Sequence, residues 1–208
     1  MKVTLYGASG MIGSRILDEL VSRQHNVTAV VRHPSKITRT DVDVRAGDVL
    51  DSPSVVETAK GADAVISAYA PPEDATRQLA DATRSLLSAL EQAGVRRFLM
   101  VGGAGNLEVA PGIPIVDTPK FPPQWLSHGL AHKEALTALQ QSDLDWTSFS
   151  PAALIQPGER TGTFRLSGNT FMTDPDGQSS ISAEDFSVAL VDELEHPHHP
   201  RQVLGVVY

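Results

Sequence analysis

The chain of 208 residues has no cysteine, which excludes disulfides, thiolate metal sites and a cysteine nucleophile together. No apolar run approaches the roughly 20 residues that a membrane helix needs. Behind Met1-Lys2 there is neither a long apolar stretch nor a small-residue cleavage site, so no secretory signal is read. The expectation is a soluble cytoplasmic protein with no membrane partner. Basic charge is also short, with 17 Lys and Arg against 25 Asp and Glu, a net −8 with histidine neutral. Nucleic acid is therefore a poor partner, because duplex binding takes a basic face that releases counterions. Aromatics are few at 5%, yet 41% of residues are hydrophobic. That apolar content excludes a disordered chain, and the length suits one domain.

What is present is an alternation of strand and helix. Strands are expected at 2–6, 27–31, 42–46, 62–68, 97–101, 145–149 and 202–207. Between them, apolar residues at helical spacing predict helices from Met11 to Arg23, from Asp51 or Ser52 to Lys60, from Asp74 to Ala93, from Leu126 to Gln141 and from Ala183 to Glu195. Pro53 suits a first helical turn and Gly94 a helix C-cap. Such alternation implies a mostly parallel, doubly wound sheet with helices on both faces, an α/β fold. Two stretches break the rhythm. One is 104–125, rich in proline (Pro111, Pro114, Pro119, Pro122, Pro123), and the other is 151–182, rich in Gly, Ser, Thr and Pro. Loops of that length in a compact domain are commonly lids or binding loops. No repeat or linker divides residues 1–208.

Between the first strand and the first helix stands Gly7-Ala8-Ser9-Gly10-Met11-Ile12-Gly13. In that context the glycines have distinct uses: Gly7 for a tight turn, Gly10 for close approach to a pyrophosphate, Gly13 for packing of helix on strand. Free N–H groups from Gly10 to Ile12 would hold the phosphates of a dinucleotide. An NAD site has Asp or Glu after the second strand to bind the ribose 2′-hydroxyl. Here Arg32 stands there, followed by Ser35 and Lys36. A guanidinium cannot accept from hydroxyls but matches a 2′-phosphate, so NADPH is favoured over NADH.

Gly7-Ala8-Ser9-Gly10-Met11-Ile12-Gly13, Gly47-Asp48-Val49 and Val101-Gly102-Gly103-Ala104-Gly105 resemble the atypical short-chain dehydrogenases. Asp145-Trp146-Thr147, Ser150-Pro151-Ala152 and Pro157-Gly158-Glu159-Arg160-Thr161-Gly162 narrow the resemblance to the NADH-flavin reductase group. That group is related to NmrA-like proteins and biliverdin reductase B, and the resemblance spans the whole chain. It implies a Rossmann-type fold with the cofactor across the strand C-termini. It also implies that Asp48 and Val49 flank adenine, and that Ala68 and Tyr69 lie near the ribose and nicotinamide. Gly102 and Gly103 would line the nicotinamide side, with Pro151, Ala152, Ala153 and Leu154 covering its ring.

The departure from the wider family bears on the chemistry. Ordinary members protonate a carbonyl oxygen with Tyr-x-x-x-Lys and an upstream Ser. None of Tyr6, Tyr69 and Tyr208 has a lysine four residues on. Lys133 falls at the family's lysine position, but Gly129 stands where the tyrosine belongs and Gly102-Gly103 where the serine does. Nothing obvious supplies a proton to a carbonyl. A flavin, quinone or linear tetrapyrrole delocalises the charge it receives, so positioning over the cofactor can suffice. The small-molecule partner is thus a hydride acceptor, with FMN or FAD possible as substrates. A non-catalytic redox sensor of the NmrA-like type, and an isomerase or lyase on the same fold, stay open.

Lys133, His132 and Tyr69 are the candidates for the chemistry, and Lys133 reads equally as a ribose-orienting or a surface residue. His128 and His132 are spaced i, i+4 but lack the Glu of a zinc motif, so no metal site is expected. Arg160 and Arg165 could meet an acidic ligand or pair with the surplus carboxylates. His196, His198 and His199 read as a solvated turn, and Trp125 and Trp146 as core or lid packing.

Overall fold

The computed structural model describes residues 1–208. Apolar alternation builds it around one sheet. The strands are β1 (Lys2–Tyr6), β2 (Asn26–Val31), β3 (Asp43–Ala46), β4 (Ala64–Ser67), β5 (Arg97–Val101), β6 (Glu108–Ala110), β7 (Ile113–Pro114), β8 (Asp145–Pro151), β9 (Leu154–Gln156), β10 (Arg165–Leu166), β11 (Ser180–Ser182) and β12 (Gln202–Val207). The helices are α1 (Met11–Ser22), α2 (Ser52–Ala59), α3 (Gln78–Ala93), α4 (Leu126–Gln140) and α5 (Ala183–Glu195). Eight strands run in the order β10-β12-β8-β5-β4-β1-β2-β3, parallel except for the antiparallel edge strand β10.

Two cores lie on opposite faces because side chains alternate across a strand. Val3 and Leu5 of β1 join Leu99, Phe149, Ile16, Leu20, Phe186 and Leu190 on the α1–α5 side. Tyr6, Phe98 and Met100 face the other way, onto Leu86, Leu90 and Leu139 of α3 and α4. The chain moves outward from β1 through β2 to β3, then returns to place β4 on the other side of β1. The crevice at such a reversal, beyond the carboxyl ends of the strands, is where doubly wound sheets bind ligands.

Boundaries shift where local chemistry overrides periodicity. The third helix starts at Gln78 rather than Asp74, because Pro71-Pro72 lead into a separate 3-10 turn at Glu73–Ala75. Gly94 takes the left-handed C-cap conformation at φ +73°. The strand expected at 145–149 runs on to Pro151, held by pairing with β12. The 104–125 stretch is folded rather than open, with three 3-10 turns and the β6–β7 ribbon. No helix is long and apolar enough to cross a membrane.

Candidate functional site

The glycine turn closes against the end of β4. Gly7 has φ +78°, and a Cβ there would lie 2.5 Å from the Ala68 carbonyl oxygen. A Cβ on Gly13 would lie 2.1 Å from the Gly7 oxygen. Only hydrogen fits at either place, which lets α1 start directly over the strand ends. The Gly10 N–H donates to the Gly7 carbonyl at 3.0 Å, and Ser14 begins the helical ladder on Gly10. The Gly10 N–H is therefore spent, contrary to the expectation, and the free set is shifted one residue along. Met11, Ile12 and Gly13 offer N–H groups with no partner in the protein. A helix start with free N–H groups and positive dipole suits an anion.

Beside that turn is a cavity of about 150 Å³. Of the expected cofactor residues, Gly7, Ser9, Gly10, Arg32, Asp48, Val49, Ala68 and Tyr69 line it together. Tyr6, Val30, Val31, Gly47 and Ala70 line it as well and were not among the expected cofactor residues. Gly47 packs its backbone against the Val30 side chain, 2.6 Å from where its Cβ would be, and its place in Gly47-Asp48-Val49 was the signal available in the sequence. Arg32 is exposed and makes no ion pair, whereas nearby Arg39 is held by Asp18 and Asp41, and Arg45 by Asp43. Asp48 turns inward on its own loop, accepting from the Leu50 N–H at 3.0 Å. Burial raises the Tyr69 hydroxyl pKa, with the Arg32 charge pulling it down and Asp48 adding to the rise. These three groups thus share one electrostatic neighbourhood at the cavity.

The other expected residues lie farther along the same edge, at the ends of β5 and β8. Gly102 donates its N–H to the Phe149 carbonyl, and a Cβ on it would meet the Ser148 hydroxyl at 2.7 Å. Gly103 abuts the His132 ring, 2.8 Å from where its Cβ would be. Pro151 and Ala152 are buried, Ala152 within the α1–α5 core, while Ala153 and Leu154 are exposed. Lys133 does not reach toward the strand ends. Its ammonium grips both oxygens of Asp117 at 2.7 and 2.6 Å, tying α4 to the 104–125 loop.

Several open choices close here. Arg160 binds both oxygens of buried Glu19 at 2.8 Å, and Arg165 binds backbone carbonyls of Tyr208 and Thr173. Arg160 thereby ties the 151–182 segment to α1, and Arg165 ties it to the residue after β12. Asp185 adds to this by accepting from Thr161, the Gly162 N–H and the Tyr208 hydroxyl. The His196–His199 turn is partly structural, since Glu193 accepts from the N–H groups of His198 and His199 and pairs with the His199 ring. Trp146 is buried as expected, but Trp125 is 54% exposed and meets the His128 ring edge-on at 5.6 Å.

A family model described as NAD(P)H-binding matches residues 7–197. The chain belongs to that family. It is 39% identical to the Bacillus subtilis protein YwnB over 211 residues, covering 100% of this chain and 98% of that one. It is 30% identical to a 3-diazoavenalumate denitrifying reductase of a Streptomyces species, covering 81% of this chain and 60% of the relative. A solved structure from Streptococcus pneumoniae, named provisionally as an NADH-flavin reductase, superposes with TM-score 0.91 at 33% identity, covering 100% of this chain and 99% of that one. The free N–H groups and glycine contacts just described fit the dinucleotide that the family binds.

Proposed function

We propose that this protein is an NADPH-dependent reductase acting on a flavin-like or quinone-like acceptor. The observation that carries the reading is the unpaired Arg32 guanidinium at a cavity whose other wall is the glycine turn. In this reading the N–H groups of Met11, Ile12 and Gly13 hold the pyrophosphate, beside Ser9 and Gly10. Arg32 takes the 2′-phosphate, which a carboxylate at that place would repel. Asp48 and Val49 flank the adenine, and Ala68 and Tyr69 contact the adjoining ribose. Gly102 and Gly103, with Pro151 to Leu154, bound the nicotinamide end. Lys133, held by Asp117, is a loop-fastening residue rather than a ribose ligand. When bound, the reduced nicotinamide supplies a hydride.

The choice of acceptor follows from two glycines. A Cβ on Gly129 would lie 2.7 Å from Val116 and 2.8 Å from Phe121. The space of a relay tyrosine is thus filled by side chains of the 104–125 loop, so no tyrosine hydroxyl stands at the relay position to protonate a carbonyl. The two relatives named as reductases support hydride chemistry on this scaffold.

The test is anaerobic NADPH oxidation by purified protein with FMN, FAD or menadione. Saturable oxidation above the protein-free blank is expected, with simple aldehydes and ketones inert. Tight NADPH binding without oxidation of any acceptor would replace the reductase with a redox sensor.

A further inference from the structure

Six buried side-chain polar atoms have no hydrogen-bond partner: Ser85 Oγ, Arg97 Nε, Asn106 Oδ1, His128 Nδ1, His132 Nδ1 and Ser150 Oγ. Four of these belong to one neighbourhood. Asn106 donates to the His132 carbonyl at 3.1 Å, and His128 lies one turn before His132 on α4. The His132 ring abuts Gly103, whose neighbour Gly102 lies against Ser150. Native interiors leave few polar groups unpaired, so a cluster of them calls for a partner from outside the chain, a water, an ion or a ligand. This cluster sits at the carboxyl ends of β5 and β8. β5 pairs with β4, and the glycine turn closes on the end of β4.

We propose that His132 is the residue that contacts the hydride acceptor, presenting its Nε2–H as a hydrogen-bond donor from the place a relay serine would occupy. The inference rests on the reductase reading above. Three features of the ring support it. Its position is fixed, because Asn106 holds its backbone and Gly103 admits it where any side chain would collide. Its Nδ1 is sealed without an acceptor, so a proton there would be left unpaired. Nε2 makes no bond within the protein and is not sealed, so the proton is better placed there. Burial, with His128 adding to it, pushes the imidazole down to about 4, so the ring is neutral at ordinary pH. A neutral donor can hydrogen-bond to a flavin or quinone oxygen as negative charge builds on it, without itself giving up a proton.

The experiment separates packing from hydrogen bonding. His132→Gln keeps an N–H at the ε position, while His132→Phe keeps a ring against Gly103. With FMN and menadione as acceptors, Gln is expected to stay within about threefold of wild type in kcat/KM, and Phe to fall by about 10–100-fold. NADPH binding, followed by fluorescence, is expected to be unchanged in both. Independently of turnover, 15N spectra of wild type loaded with NADP⁺ should report the Nε2–H tautomer and a moved Nε2 resonance on adding FMN or menadione. Full activity in Phe with loss in Gln would make the ring a packing element and overturn the proposal, as would an Nε2 resonance that neither acceptor moves. Loss of NADPH binding in both variants would assign His132 to the cofactor site instead. If wild type binds NADPH but reduces no acceptor, the reductase reading itself fails and takes this inference with it.

Discussion

The two ends of the binding edge are built from different materials. At the β1–β4 end the site is made of backbone: N–H groups of Met11 to Gly13, and glycines packed against the Gly7 and Ala68 carbonyls. At the β5–β8 end it is made of side chains from distant elements, the His132 ring, Asn106, Phe121 and Val116. A backbone site is most sensitive at its few glycines, where a side chain would collide with main-chain atoms. A side-chain site depends on what fills it, and here Val116 and Phe121 fill the space beside Gly129 while the His132 ring fills that beside Gly103. A fold of this kind leaves open what chemistry its site performs.

The largest effect is expected where the backbone site is touched. Gly13→Val places a Cβ 2.1 Å from the Gly7 oxygen, and neither backbone can yield without moving α1 off β1. Destabilisation of at least about 3 kcal/mol is expected, with NADPH binding lost. Urea denaturation beside an NADPH titration measures both, and a well-folded variant that still bound would show the two ends to be equally adaptable.

Next comes the attempt to rebuild the relay. Gly129→Tyr alone is expected to cost about 2–3 kcal/mol, because Val116 and Phe121 already fill its space. Phe121→Ala in the same chain should recover part of that loss, so that the double mutant is more stable than the two single effects predict. Additive losses in a double-mutant cycle would mean that the loop is not what occupies the tyrosine's place.

Arg32→Asp probes the cofactor end with a side chain rather than the backbone. NADPH affinity should fall by about 2 kcal/mol, roughly 30-fold, with NADH affinity little changed. Equal losses for both cofactors would remove Arg32 from the phosphate. Raised salt should weaken NADPH binding in wild type more than in the variant.

What could be read from the amino-acid order follows the same division. The glycine spacing, the basic residue after the second strand and the strand–helix alternation are local signals, and they located the sheet, the turn and Gly7, Ser9, Gly10 and Arg32 of the cavity, while Asp48, Val49, Ala68 and Tyr69 were implied only by the family resemblance. Even there one detail escaped: the Gly10 N–H bends back to Gly7, which no spacing rule foretells. The unread features depend on residues far apart in the chain. Arg160 finds Glu19 across 141 positions, Phe121 enters the space beside Gly129, and Lys133 turns to Asp117. Trp125, read as core or lid packing, is not in the core: it stands 54% exposed at the end of the 104–125 loop, edge-on to His128.

Lys133 carries the smallest expected effect and the sharpest contrast with the wider family. Its ammonium and the Asp117 carboxylate are each about two-fifths exposed, at 43% and 39%, so water screens the pair and little free energy rests on it. An exposed pair of this kind contributes about 0–1 kcal/mol. Lys133→Met should therefore shift stability by about 0.5 kcal/mol or less and leave NADPH affinity within twofold. A ribose-binding lysine would behave otherwise, since its removal strips a charge-assisted bond from the cofactor and weakens binding by about tenfold or more. Asp117→Asn decides the matter from the other side. If the pair only fastens the loop, it should reproduce the Lys133→Met phenotype, with the two losses non-additive. If instead it frees Lys133 for the strand ends and tightens NADPH binding, the loop is a competitor for the lysine, and Lys133 belongs to the cofactor site rather than to the loop.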